Sequence, residues 1–211
     1  MTRITEGLHR QRTRYLLNVA IQLCVLFPVA SIAWDTVQGN LGANPIETLT
    51  NTTGIWVLRL LIASLAITPI RRTFRIPLLA PHRRMLGIAA FGYGTLHFAI
   101  YVALDLGFEL NAVAEDILER PYITVGFATF MCLLVLALTT PRQIARRLNR
   151  RWTKIHRLVY VAGCGAVTHY LWLEKTDWGT PLLYGSLLVL LLAERCFYAI
   201  RSRSWVAIGS Q

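Results

Sequence analysis

Apolar residues along this chain fall into long runs, and polar residues are confined to short stretches between them. Six runs stand out, at about residues 15–34, 54–70, 85–106, 122–140, 156–173 and 182–200. Each is close to the ~20 helical residues that cross a hydrocarbon core of about 30 Å. The pattern predicts an all-α fold: a bundle of six transmembrane helices forming one domain over residues 1–211. No polar stretch is long enough to make a soluble domain. Pro45, Pro121 and Pro181 begin or precede runs, where a missing N–H costs little, while Pro28 and Pro69 lie near run ends, where kinks are expected.

Composition agrees with this picture, with 55% hydrophobic residues over 211 positions. A net charge of +11 would suggest nucleic acid in a soluble protein. Here the cations sit in short loops, and membrane topology explains them more simply. Arg3, Arg10, Arg12 and Arg14 precede the first run, Arg71 to Arg84 fill the second loop, Arg142 to Arg157 the fourth, and Arg201 and Arg203 the tail. The first, third and fifth loops carry the acids, including Glu47, Asp105, Glu109, Asp116 and Glu174. The positive-inside rule therefore predicts cytoplasmic N- and C-termini and acidic loops facing outward. The basic N-terminal segment leads into a run with no small-residue cleavage site, which reads as a first span and not a removed signal peptide. The four cysteines lie in or beside apolar runs without paired spacing and read as small buried apolar residues.

Chemistry enters with the histidines. Of five, His97, His156 and His169 lie in or at the ends of spans, where an ionisable residue is costly and is a candidate for function. The competing reading is a histidine that only hydrogen-bonds a neighbouring helix. His97 stands about 18 Å up the third span and His169 about 20 Å up the fifth, at 1.5 Å per residue. Both spans run from inside to outside, so the two imidazoles are expected at one depth in the outer half. Two such imidazoles can supply both axial ligands of a b-type haem. Ala90 and Gly94 beside His97, and Ala162, Gly165 and Ala166 beside His169, leave room for a flat macrocycle or for close helix packing.

His156 lies at about 220° from His169 on an ideal helix. Either the fifth span is distorted around Gly163-Cys164-Gly165, or His156 serves a different site. At its depth stand Arg83 and Arg84, with His82 beside them. This inner cluster fits three descriptions: a second haem with unusual ligation, an anionic cofactor such as a flavin phosphate, or solvated charge. Arg59, in the second span, either snorkels to the interface or pairs with a haem propionate. The chain has no glycine-rich dinucleotide loop, no P-loop, no HExxH and no paired intramembrane carboxylates; only Glu194 approaches mid-membrane. Electrons would therefore come from quinone or a separate flavoprotein. A free-standing ferric reductase and a cofactor-free transporter or scaffold are the alternatives.

A set of motifs carries a resemblance. They are Leu41-Gly42-Ala43-Asn44-Pro45, Thr53-Gly54, Ile67-Thr68-Pro69, Arg83-Arg84-Met85-Leu86-Gly87, Leu96-His97, Arg120-Pro121-Tyr122, Trp152 to Tyr160, and His169-Tyr170-Leu171-Trp172. With these the chain resembles the MsrQ (YedZ) family, haem-binding membrane subunits within the ferric-reductase-like transmembrane family, over nearly its whole length. The resemblance implies a multi-pass protein of the bacterial inner membrane holding haem b and FMN. It implies electrons taken from the quinone pool or a flavin reductase and passed to a periplasmic molybdoenzyme, MsrP, which reduces methionine sulfoxide in proteins. The chain itself would be no enzyme and would hold no catalytic residue. The wider family has four haem-ligand histidines on two helices. His97, His156 and His169 match three of those positions, and Arg83 occupies the fourth.

Overall fold

The computed structural model describes residues 2–208, with side chains from residue 11 to 201. Among the described residues there are helices and no strands. They are α1 (Thr2–Gln38), α2 (Pro45–Thr73), α3 (His82–Ile100), α4 (Leu110–Glu119), α5 (Pro121–Leu138), α6 (Arg142–Leu148), α7 (Arg150–Ile155), α8 (Leu158–Leu173) and α9 (Gly179–Ile208). Five stretches are long and apolar enough to cross a membrane: Gln11–Gln38, Pro45–Thr73, Pro77–Asp105, Pro121–Leu138 and Gly179–Arg201. The sixth apolar helix, α8, has 16 residues, about 24 Å at 1.5 Å per residue.

Packing follows from small residues and aliphatic ridges. α2 lies chiefly on α3, and α5 on α8; α3 against α5 joins the two pairs, α9 covers α2 and α8, and α1 stays peripheral. Leu61, Leu65, Ala90 and Ala162 are nearly or fully buried where these helices meet. Peripheral α1 is tied on by polar contacts: the Tyr93 hydroxyl donates to the Val25 carbonyl at 2.7 Å, and His82 Nε2 lies 2.7 Å from Asn18 Oδ1. The cysteines are free, and Cys24, Cys164 and Cys196 are exposed rather than buried as expected. In lipid a thiol on the outer face of a helix costs no more than one in a core.

Three local departures from the sequence pattern position the functional residues. First, α2 begins at Pro45, not near Gly54. Asn44 caps it, its Oδ1 accepting from the Glu47 N–H at 3.3 Å, with Pro45 in the first turn. The threonines of this extension hide their hydroxyls by donating to carbonyls one turn back, Thr50 to Ile46 and Thr53 to Leu49, both at 2.8 Å. Second, α3 ends in a π-helical segment, Tyr101–Asp105, after which Gly107 (φ 56°) and Phe108 (φ 65°) turn the chain into α4. Third, a short helix, α7, precedes the fifth span and is separated from α8 by a turn at His156-Arg157, while Gly163 to Gly165 stay within continuous helix. Of the two alternatives for the fifth span, distortion at those glycines is not seen; Gly163 packs on Leu188 and Gly165 on Thr129, both close helix contacts.

Candidate functional site

His97 near the end of α3 and His169 in α8 are brought together, with ring centroids 6.3 Å apart and planes at 82°. Each imidazole is oriented by a backbone carbonyl on the helix beside it. His97 Nδ1–H donates to the Thr50 carbonyl at 2.9 Å, and His169 Nδ1–H donates to the Tyr122 carbonyl at 2.7 Å. A carbonyl only accepts, so these bonds fix the tautomer and leave each Nε2 with a free lone pair. Thr53 Oγ1, its own hydrogen on Leu49, lies 3.4 Å from His97 Nδ1 as a weaker second acceptor. Both acceptor carbonyls lie near helix N-termini, Thr50 in the second turn of α2 and Tyr122 in the first turn of α5. That is why the polar extension of α2 matters.

The rings fit because the opposing helices carry glycine. A methyl group on Gly54 would lie 3.0 Å from His97 Cε1, and one on Gly126 would lie 2.8 Å from His169 Cε1. Between α2, α3, α5 and α8 lies a cavity of about 820 Å³ into which both histidines project. Its deep walls are apolar, with Val57, Leu58, Phe98, Phe130 and Leu133, and Gly94 and Ala166 widen it. Its mouth is polar, with Glu47, Asp105, Arg120, Glu174 and Lys175. Arg120 Nε pairs with Asp116 at 2.9 Å, and the same carboxylate accepts from the Tyr101 hydroxyl at 2.7 Å. The Glu174 carboxyl is held below its ordinary range by the N–H groups of Asp177 and Thr176 and the Thr176 hydroxyl.

Could this site hold a metal macrocycle? Two imidazoles bound through Nε2 at about 2 Å to one ion have ring centroids about 6 Å apart. The observed spacing agrees, the volume lies in the range of cofactor sites, and among the acids of the mouth Arg120 and Lys175 are the two cations that could meet carboxylates. The residues fit a bis-imidazole haem.

Arg59 is placed elsewhere. It does not line this cavity; its Nε donates to the Tyr184 hydroxyl on α9 at 2.7 Å, and the guanidinium lies over Trp56. The cations at the mouth are Arg120 and Lys175.

The inner cluster gathers at the other end of the same helices. His156, capping α7, stacks on Trp152 with centroids 4.0 Å apart. Its Nε2 lies 3.2 Å from the hydroxyl of Thr139, whose hydrogen is taken by the Val135 carbonyl at 2.7 Å. Nε2 of His156 is therefore the donor here. Arg84 donates to the carbonyl of the next residue, Thr140. Arg83 is half-buried beside Thr68, and its own carbonyl accepts from Ser64. His82 turns away to Asn18. Glu194 pairs with Arg72 at 3.0 Å. Sequence reasoning found the histidines and arginines but missed Thr50, Gly126, Tyr122, Thr139 and Arg120 as their partners. The Arg120-Pro121-Tyr122 and Thr53-Gly54 motifs were the available signals.

Comparison with known proteins adds independent findings. Residues 48–167 match the family described as ferric reductase like transmembrane component. The chain is 40% identical over 192 residues, 90% of its length and 88% of the relative's, to the protein-methionine-sulfoxide reductase heme-binding subunit MsrQ of Herminiimonas arsenicoxydans. It is 45% identical over 172 residues, 81% of its length and 84% of the relative's, to the protein of the same name from Bordetella pertussis. A third such protein, from Xanthomonas axonopodis pv. citri, is 40% identical over 193 residues, 89% of this chain and 88% of that one. No solved structure matches the chain.

Proposed function

The chain belongs to the ferric-reductase-like transmembrane family, among its MsrQ heme-binding subunits, and from that premise we propose that it is the membrane electron-transfer subunit of a methionine-sulfoxide reductase system. His97 and His169 would hold the iron of a b-type haem in the outer cavity. The observation that carries this is the pair of imidazoles 6.3 Å apart, each with Nδ1 engaged by a carbonyl and Nε2 free. A haem held there supplies a one-electron couple within hydrocarbon. The chain's residues do the rest. Thr50 and Tyr122 fix the imidazole tautomers and raise their basicity. Gly54 and Gly126 admit the rings. The phenyl and leucine walls exclude water, and Arg120 and Lys175 hold the macrocycle's carboxylates at the outer mouth. An iron held by both imidazoles would supply electron transfer more readily than oxygen chemistry.

The inner cluster of Arg83, Arg84 and His156 is proposed as the second cofactor position, and an FMN phosphate suits it better than a second haem. The supporting observation is that His156 Nε2 is already spent on Thr139 and His82 is spent on Asn18. The arginines are ready donors for phosphate. Electrons from the quinone pool or a flavin reductase pass through these positions to a separate periplasmic molybdoenzyme, MsrP, which carries out sulfoxide reduction.

The test is a visible spectrum of the purified chain, followed by reduction with a quinol and reoxidation by MsrP. A bis-histidine Soret band, reducible by quinol and reoxidised by MsrP but not by ferric chelates, is expected. Rapid reoxidation by ferric citrate alone would favour a free-standing ferric reductase. Absence of a Soret band would refute every haem reading and leave a scaffold.

A further inference from the structure

Asp116 is an acid unlike its neighbours. Glu115 and Glu119 on the same helix, α4, are exposed, whereas the Asp116 side chain keeps only 15% of its surface open. A carboxylate buried that far is costly unless it is paired, and each of its oxygens is used. Oδ2 accepts from the Tyr101 hydroxyl at 2.7 Å, and Oδ1 pairs with Arg120 Nε at 2.9 Å. The two partners belong to the two sides of the outer cavity, and both line it. Tyr101 stands one turn after His97, and its N–H donates to the His97 carbonyl. There α3 widens into its π turn, with the Leu106 N–H on the Tyr101 carbonyl at 3.1 Å, a rare geometry found often at functional positions. Arg120 is the N-cap residue of α5, and the rigid ring of Pro121 is all that separates it from Tyr122, whose carbonyl orients His169.

These bonds differ in what they cross. α4 and α5 already form one corner: the Arg120 N–H donates to the Asp116 carbonyl at 3.0 Å, and the Thr124 hydroxyl donates to the Ile117 carbonyl at 2.5 Å. The Tyr101–Asp116 bond is, among the described residues, the one side-chain hydrogen bond that runs from the end of α3 to that corner. Deeper in the cavity α3 meets α5 through Phe98 on Phe127 and Phe130, apolar contacts that are less directional than a charge-assisted hydrogen bond. We infer that Asp116 is a positioning residue for the outer site: it clasps the end of α3 to the α4–α5 corner and thereby sets the spacing and angle at which His97 and His169 face each other. It also holds Arg120 by Nε, which leaves the terminal N–H groups for the Tyr122 hydroxyl and for a carboxylate at the mouth. This rests on the reading that the two imidazoles hold one haem iron.

The experiment uses the haem-loaded full chain in phosphatidylcholine nanodiscs, with Asp116→Ala, Tyr101→Phe, Asp116→Glu and, as an exposed control, Glu115→Ala. The ring planes, 82° apart, predict a strongly anisotropic low-spin ferric EPR signal, since crossed axial imidazoles spread the g values more than parallel ones do. In Asp116→Ala and Tyr101→Phe that anisotropy is expected to fall, as His169 follows the loosened Tyr122 carbonyl. Haem transfer to apomyoglobin is expected to quicken roughly tenfold in Asp116→Ala, the scale of one lost charge-assisted hydrogen bond, and severalfold in Tyr101→Phe. Asp116→Glu keeps the charge and both acceptors and should restore much of the anisotropy; Glu115→Ala should keep all of it. A wild-type signal and transfer rate in both Asp116→Ala and Tyr101→Phe overturns the clasp while leaving the haem. Faster transfer with unchanged anisotropy, or the same change in Glu115→Ala, overturns it too, because Asp116 would then only steady α4. A wild-type chain without a Soret band overturns the clasp and the haem reading together. If Asp116→Ala does not fold, Tyr101→Phe, which removes a single oxygen, still decides.

Discussion

The outer and inner clusters occupy opposite ends of the same four helices, α2, α3, α5 and α8, and they differ in what their histidines have left to offer. In the outer cluster each imidazole gives its Nδ1 hydrogen to a main-chain carbonyl and keeps Nε2. In the inner one, His156 gives Nε2 to a hydroxyl and lies flat on Trp152, with arginines as neighbours. The lesson is that a histidine's partner, more than its position on a span, decides whether it can bind a metal. A carbonyl on Nδ1 prepares a ligand. A hydroxyl on Nε2 is a contact that a metal would have to displace.

Replacing the histidines tests that contrast most severely. Either His97→Ala or His169→Ala is expected to abolish the outer haem, because one remaining imidazole cannot hold a low-spin six-coordinate iron in an apolar cavity. His156→Ala is expected to leave that haem in place. Haem content per chain and the Soret band measure both. Full haem retention in His169→Ala would remove the ligand assignment.

Arg83→Ala tests the other side. Loss of a charge-assisted contact to phosphate, about 1.5–3 kcal/mol, weakens binding roughly ten- to a hundredfold. FMN titration followed by fluorescence quenching should show this, with the outer Soret band unchanged. A fall in haem content with FMN affinity unaltered would turn the inner cluster into a second haem site.

Much of this contrast was legible in the sequence, and the illegible part has physical causes. Run lengths gave the apolar helices, and the depths of His97 and His169 were right because a straight helix rises uniformly. The polar start of α2 was hidden because Thr50 and Thr53 look like loop residues until their hydroxyls fold back onto their own helix. The start of the fifth span at His156 was legible, but the short helix α7 before it was hidden in a charged loop, Arg150 to Ile155. It is held in place by Trp152 and His156 reaching across to Thr139. The role of Gly126 was invisible because it answers to a ring on another helix. Arg59 was left between two readings for a related reason: periodicity gives its height but not that it faces Tyr184.

Gly126→Ala sharpens the comparison without touching a ligand atom. The new methyl would meet His169 Cε1 at 2.8 Å, and overpacking of this kind costs about 1–3 kcal/mol. Haem affinity is expected to fall roughly tenfold, at about 1.4 kcal/mol per decade. Gly92, around which nothing lies within 4 Å, should tolerate alanine. Equal haem affinities in the two variants would mean that His169 is not held as described.

The smallest effect isolates the hydrogen bond itself. Thr53 is a secondary acceptor for His97, at 3.4 Å against 2.9 Å for the Thr50 carbonyl, so Thr53→Val should keep the haem. Less acceptance at Nδ1 makes the imidazole a poorer donor to iron, which destabilises the ferric form more than the ferrous form. The midpoint potential should therefore rise. A net hydrogen bond of about 1 kcal/mol corresponds to roughly 40 mV for one electron, an upper bound for so long a contact. Thr139→Val removes the matching hydroxyl at the inner cluster and should not move that potential, because His156 does not touch the outer iron. A fall in potential on Thr53→Val, or an equal shift in both variants, would show that the two threonines do not separate the two ends of the molecule.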